Sequence, residues 1–482
     1  MDVSLCFDVE DYTSPPEAGM DDIPKWNAEI MTQEGVRGSF LVIGGKARSL
    51  RQRERFDVIS AMAKHEIGVH TMFGSEHPTM TEAMAPLEFR DAVQLGIERE
   101  GACYRDLKEI FKVEPGSFSS HGASQVPAMH YVAGKHFDRP WLYSFVPTNS
   151  DGFCWYANCL QLRWSGIHIS EAAYSNPKAV DETLARWDKL IDDMVAKGYK
   201  WSNLFLAHPL MIRARQFNDG INFPDGKTRV PYRTPELRTM DEMKIAQEQF
   251  RRVIQYIAKH PKLQVRTLFE TYQKYGKRKP SITRAELKVY AEHAKEGGIP
   301  TGYMFSPGDA LVALGSDLRA GKIADRNPIG DVLGPTAEPS RAPDNGFEYV
   351  GAEEIKGIAS RLVDLTAKNI HLPDAVVTPS GGGRMGLPSV LAVLAEAWLQ
   401  LEAGQPQKVR VPILTGRYPN GALEIEANAR RAWMGWPIHD INMPLENISR
   451  QARLQSWTWK RAWDGTDTAK RFEPLKADQP ID

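Results

Sequence analysis

Three carboxylates fall within four positions, Asp8, Glu10 and Asp11, directly behind the apolar run Val3–Phe7. Crowded at the end of a buried strand, they repel one another and raise each other's pKa. A divalent cation removes that cost, because one carboxylate can bind it while another stays free as a base. Histidines supply complementary ligands. The chain has 12, and His65, His70 and His77 share one short window. His70 closes the apolar run Ile67–Val69, and His77 follows in the next loop. Neutral imidazole suits zinc and similar ions, so this window reads as part of a metal site. A third constellation, Leu204-Phe205-Leu206-Ala207-His208-Pro209, delivers His208 at the end of another apolar run. That location suits a general acid for a leaving amine or alkoxide.

Each of these groups needs a strand end to hold it. Val3–Phe7, Gly38–Ile43, Ile67–Val69, Gly116–Ser119, Leu142–Val146, Leu160–Trp164, Leu204–Ala207 and Val265–Leu268 read as strands. Amphipathic helices lie between several of them. Residues 240–259 place Met243, Ala246, Phe250, Val253, Ile254 and Ile257 on one face. Leu184, Trp187, Ile191 and Met194 do the same in a helix that starts at Asn176-Pro177, a cap and a first-turn proline. Strand–helix alternation of this kind predicts a parallel sheet or a barrel, with reactive groups at the C-terminal strand ends.

The pattern changes after Lys279-Pro280. Residues 281–296, 307–320, 352–369 and 388–403 read as helices, separated by the loop-like stretch Asn327–Gly346 with Pro328, Pro335, Pro339 and Pro343. Ile299-Pro300 followed by Met304 and Pro307 echoes Leu372-Pro373 followed by Met385 and Pro388, which reads as a loose two-fold repeat over about 281–321 and 352–404. The tail carries Trp433, Trp436, Trp457, Trp459 and Trp463, read as a core or docking seam ahead of a sugar-stacking surface.

Together and in this order the motifs resemble the polysaccharide deacetylase family (carbohydrate esterase family 4), which includes chitin, peptidoglycan and nodulation-factor deacetylases. Asp8-Val9-Glu10-Asp11 is similar to its acidic first motif, and Asp-Val-Glu-Asp-Tyr to a bacterial exopolysaccharide branch. Gly38–Gly44 looks like its second strand, His65-Glu66-Ile67-Gly68-Val69-His70 like its most specific segment, and Leu206-Ala207-His208-Pro209 like its last motif. The resemblance covers about residues 1–275. It implies an α/β fold: a distorted (β/α) barrel over 1–278 as catalytic domain, followed by a smaller, mainly helical accessory region over 281–482. It implies Asp8 as general base and His208 as general acid. Glu10, His70 and His77 would be the ligands of one divalent transition metal, with Asp11 as alternate carboxylate; zinc leads, and cobalt, nickel and manganese stay open. His121 and Trp155 are the candidates for contact with substrate. The chain departs from the family in three ways. His70 and His77 stand seven apart rather than four, the first-motif acids are spaced rather than adjacent, and Ser119-Ser120-His121-Gly122-Ala123 lacks the usual arginine. The implied reaction is removal of an N- or O-linked acetyl group from a glycan or amino sugar. Hydrolysis of another small or cyclic amide, and a catalytically silent glycan-binding protein, are the alternatives.

Bulk properties narrow the partners. Lys plus Arg is 60 and Asp plus Glu is 61, so no charge excess points to nucleic acid. No apolar run approaches the ~20 residues that span a bilayer. Four cysteines are too few for a disulfide framework at this length and read as free thiols. The first residues lack a basic start and a long apolar stretch, which favours a cytoplasmic setting, while a trimmed N-terminus would leave export open. The oligomeric state is not readable.

Overall fold

The computed structural model describes residues 1–148, 152–163, 167–338, 349–379, 383–414 and 416–472. The predicted strand end Trp164 and the loop prolines Pro339 and Pro343 lie outside the described residues.

Among the described residues the first half of the chain forms nine strands. They are β1 (Asp2–Val9), β2 (Ser39–Val42), β3 (Glu66–Val69), β4 (Phe118–Ser119), β5 (Trp141–Leu142), β6 (Phe153–Tyr156), β7 (Cys159–Leu162), β8 (Trp201–Ala207) and β9 (Gln264–Val265). In space they run β6-β7-β5-β4-β3-β2-β1-β8, with β9 paired to the start of β1. Every pair is parallel except the β6–β7 hairpin. β1 and β8 are buried along their whole lengths, as strands covered on both faces must be. The sheet curls until its edges meet. Trp201 of β8 packs on Phe153 of β6 with ring centroids 5.5 Å apart, and residues 167–169 pair along β8 at Phe205. This is the distorted barrel that the sequence predicts.

The helices follow local signals closely. Pro177–Ala196 starts where the Asn176 side chain accepts from the Lys178 N–H at 3.1 Å. Met240–Lys259 starts on a Thr239/Glu242 capping box and buries the six predicted apolar residues. Two of the strand ends that differ from expectation have a local cause. Leu142–Val146 shortens to Trp141–Leu142 because Tyr143 turns to φ 66°. Val265–Leu268 stops at Val265 because Thr267 and Glu270 cap a new helix, Leu268–Tyr275.

Beyond residue 280, the helices Arg284–Ala294, Pro307–Ala320, Ala352–Asn369 and Leu387–Glu402 enclose a second core that includes Leu287, Leu314, Leu362 and Trp398. Two segments share one order. In each, two helices stand between short strands that pair antiparallel: Ser281–Thr283 with Arg326–Pro328, and Tyr349–Gly351 with Lys408–Arg410. Arg284–Ala294 packs on Leu387–Glu402 as Pro307–Ala320 packs on Ala352–Asn369.

Among the described residues, the chain beyond residue 280 contributes to both cores. The chain returns to the barrel through the helices Ala422–Gly435 and Leu445–Leu454, whose Ile425, Ala429, Trp433, Ile448 and Ala452 join the barrel core. The strand Lys460–Arg461 then pairs antiparallel with β6. Trp457 belongs to the second core instead, and the buried Lys460 ammonium donates to Asp309 at 2.8 Å, so the tail joins both halves. Trp433, Trp457 and Trp459 are buried in this seam. The four cysteines are free and buried. Among the described residues no helix is long and apolar enough to cross a membrane.

Candidate metal and acid–base site

The ends of β4, β3, β2, β1 and β8 follow one another in the curled sheet, so the residues that leave them converge. Glu10 follows β1, His70 follows β3 and His121 lies just past β4. His70 Nε2 is 3.0 Å and His121 Nε2 3.2 Å from the same oxygen, Glu10 Oε1. All three side chains are buried. Each imidazole is held at its other nitrogen by a serine. His70 Nδ1 donates to Ser119 Oγ at 2.5 Å, and the Ser119 hydroxyl donates to the Val69 carbonyl at 3.4 Å. His121 Nδ1 faces Ser75 Oγ at 3.5 Å, and Ser75 in turn donates to Asp219. With Nδ1 as the donor in each ring, each Nε2 faces the Glu10 carboxylate. Lone pairs facing a carboxylate at this range need a proton or a cation between them.

That arrangement tests the fit of a metal. One carboxylate oxygen and two imidazole nitrogens lie within 4.8 Å of one another. Glu10 Oε2 is buried without a hydrogen-bond partner, a costly state unless a ligand satisfies it. Two imidazoles and one carboxylate form a donor set suited to a divalent transition metal. The residues present fit such an ion.

Asp8 and His208 stand beside this triad. Asp8 Oδ2 is 3.6 Å from His70 Nε2 and 3.8 Å from His208 Nε2. Burial pushes the Asp8 carboxyl up, against the pull of the surrounding histidines, and Glu10 adds to the rise. His208 is oriented by Glu171, which accepts from its Nδ1 at 2.8 Å and from its backbone N–H at 2.9 Å. Burial pulls the His208 pKa down, but Glu10, Glu171 and Asp8 outweigh it, and the pKa is pushed up to about 10. Both groups are thus held above their ordinary values, Asp8 by burial and His208 by the carboxylates around it. Glu10 is held well below the ordinary range, because His121 and His208 overcome the effect of its burial. A cavity of about 520 Å³ opens onto this pair, lined by Ser120, Tyr143, Ile169, Phe205 and His208 among others.

Two residues around the site adopt left-handed backbone despite a side chain: Thr71, next to His70, at φ 67°, and Tyr143, in the cavity wall, at φ 66°. Each such position costs on the order of 1–3 kcal/mol and is kept where surrounding structure imposes it.

The structure brings Asp8, Glu10, His70, His121 and His208 together and leaves three predicted residues elsewhere. His77 does not reach the triad. Its Nδ1 is 2.7 Å from Glu82 Oε2 and its Nε2 3.0 Å from the Phe223 carbonyl, so both nitrogens are spent on the loop. Asp11 closes a turn instead of facing the cluster: its Oδ1 accepts from the backbone of Thr13 and Ser14 and from the Asn218 amide. Trp155 is buried on β6, paired opposite Lys460 and covered by the Arg278 guanidinium 4.0 Å above its ring. It packs a wall of the barrel and is absent from the cavity lining. His121, expected to touch substrate, stands in the place foreseen for His77. Glu171, Asp219 and the two serines are not singled out by the sequence. Glu171 opens the short 3-10 helix Glu171–Ser175, and Asp219 sits on the single-turn helix Asn218–Asn222, neither of which has an apolar pattern to mark it.

No family model and no curated protein matches the sequence. The chain is similar to solved structures of deacetylases and an esterase of the kind that the motifs resemble. A peptidoglycan N-acetylglucosamine deacetylase shares 13% identity over 56% of this chain and 88% of its own, with TM-score 0.31. A family 4 acetyl xylan esterase from Clostridium thermocellum, in complex with a cobalt ion, shares 14% over 57% and 92%, with TM-score 0.27. A peptidoglycan deacetylase from Bacillus subtilis shares 12% over 56% and 91%, with TM-score 0.28. At these values the likeness transfers neither activity nor residue roles, and the side-chain geometry must carry both.

Proposed function

We propose that this protein is a metal-dependent hydrolase that removes acetyl groups from the nitrogen or oxygen of a sugar. The observation that carries the reading is the convergence of two serine-held imidazoles on one buried carboxylate, with a second carboxylate, Asp8, and the His208 imidazole 3.8 Å apart beside it. Glu10, His70 and His121 would hold the metal, and zinc, cobalt, nickel and manganese all suit the donors. Such an ion, when bound, polarises a carbonyl and makes a water acidic enough to attack near neutral pH. Asp8 accepts the proton of the attacking water. Glu171 holds the His208 ring with its Nε2 toward Asp8 and the cavity, where it gives a proton to the departing amine or alkoxide. Phe205 and Ile169 offer an apolar wall for the acetyl methyl.

The cavity of about 520 Å³ lies in the range of small-molecule sites, so a small non-sugar amide is the second reading. The test is acetate release from N-acetylated and O-acetylated mono- and oligosaccharides, before and after chelation. Chelator-sensitive release supports the proposal. Acetate release that survives complete metal removal contradicts it, and chelator-sensitive cleavage of small amides with none of acetylated sugars favours the second reading.

A further inference from the structure

His121 is not carried by a regular element. It opens a four-residue turn, closed by the Ser124 N–H donating to the His121 carbonyl at 2.9 Å, with Gly122 at φ 53°. A turn of this kind does not by itself fix a ring to the tolerance a ligand needs. The support comes from the far end of the chain. The Trp436 indole meets the His121 ring edge-on, with centroids 5.5 Å apart. It approaches so closely that a Cβ on Gly122 would lie 2.2 Å from it. Trp436 is half-buried, and its neighbours along the chain are fastened to the barrel. The Trp433 indole N–H donates to the Gln125 carbonyl at 2.8 Å, His439 packs on the Trp436 ring at 4.7 Å, and His439 Nδ1 donates to the Trp433 carbonyl at 3.0 Å. The next residues are tied to two loops of the barrel mouth. The Pro437 and Ile438 carbonyls accept from Asp225 and Gly226, and the Asp440 N–H donates to Glu82 at 2.7 Å.

We infer that Trp436 is a positioning residue for His121, so that the returning tail completes the metal site of the barrel. This rests on the reading of His121 as a ligand. The indole bars one side of the imidazole, and His70, 5.0 Å away on another side, bars a second. The ring is left with Nε2 on the Glu10 side and Nδ1 on the Ser75 side.

The experiment is a titration of the full-length apo protein with Co2+ alone. It follows the visible bands of the bound ion and the dissociation constant by chelator competition, in Trp436→Ala, Trp436→Phe and His121→Ala. Outer contacts of ligating histidines are worth about 10–100-fold in metal affinity. Trp436→Ala should weaken binding by that order and alter the bands, while Trp436→Phe, which keeps a ring edge on the imidazole, restores both. Should Trp436→Ala not fold, Trp436→Leu keeps an apolar side chain without a ring edge and should give the same altered bands. Unchanged affinity and bands in Trp436→Ala, with binding lost in His121→Ala, overturn the positioning role alone. Unchanged binding in His121→Ala overturns the ligand assignment on which it rests.

Discussion

Among the residues of the site, Glu10, His70 and His121 would hold the metal, while Asp8 and His208 would move protons. Asp8→Asn should keep the bound ion and lose about 10²–10⁴-fold in turnover, the usual worth of a positioned base; loss of the metal in that variant would make Asp8 a ligand. Glu171→Gln leaves His208 in place without the carboxylate that orients it, so kcat should fall while metal content stays at wild-type level. His77 has a different task. Burial lowers its pKa, but Glu82 more than offsets that and raises it above 6.5, while Glu82, raised by burial, is held down to about 2 by His77 and two backbone N–H groups. The Glu82 contribution to stability is present above about pH 4.5 and lost as pH falls toward 2. The His77 contribution is full below about pH 6.5 and lost as pH rises through its folded value. The melting-temperature gap between wild type and Glu82→Gln should therefore be widest between those two pH values; a gap independent of pH would contradict the pairing.

At the scale of elements, what was legible in the sequence depended on length. β1 and β8 are long apolar runs that end in polar residues, and their placement of Asp8, Glu10 and His208 follows directly. β4 is two residues long and β6–β7 turns through Ala157 and Asn158, both at positive φ, where a hairpin signal asks for glycine. His77 attracted the ligand role because it is near His70 along the chain. His121 is distant in sequence but adjacent in space, because β3 and β4 are parallel neighbours whose ends coincide. That adjacency depends on close strand packing at Gly68, where a Cβ would lie 2.5 Å from Ser117 Oγ and 2.7 Å from Leu41 Cδ2. Gly68→Val should cost roughly 1–3 kcal/mol of stability in denaturant titration; an unchanged midpoint would mean that the β2–β3–β4 spacing is slack.

At the scale of the molecule, the barrel and the tail are one object. From composition the tryptophan-rich tail reads as a core or docking seam ahead of a sugar-stacking surface, but nothing local tells which core a returning helix joins. Ile425, Trp433, Ile448 and Trp459 fill the barrel core, at about 1.5–3 kcal/mol each, a sum comparable to the whole stability margin of an ordinary domain, about 5–15 kcal/mol. A chain ended at residue 420 should lose its cooperative thermal transition. A truncated barrel melting at the wild-type temperature would show that the seam contributes nothing.

The central claim is that Glu10, His70 and His121 hold a metal and that His77 does not. The most direct measurement is elemental analysis of the wild type, His121→Ala and His77→Ala after equilibration with zinc and desalting. The account predicts one metal per chain in wild type and in His77→Ala, and none in His121→Ala. Metal retained in His121→Ala and lost in His77→Ala would contradict it.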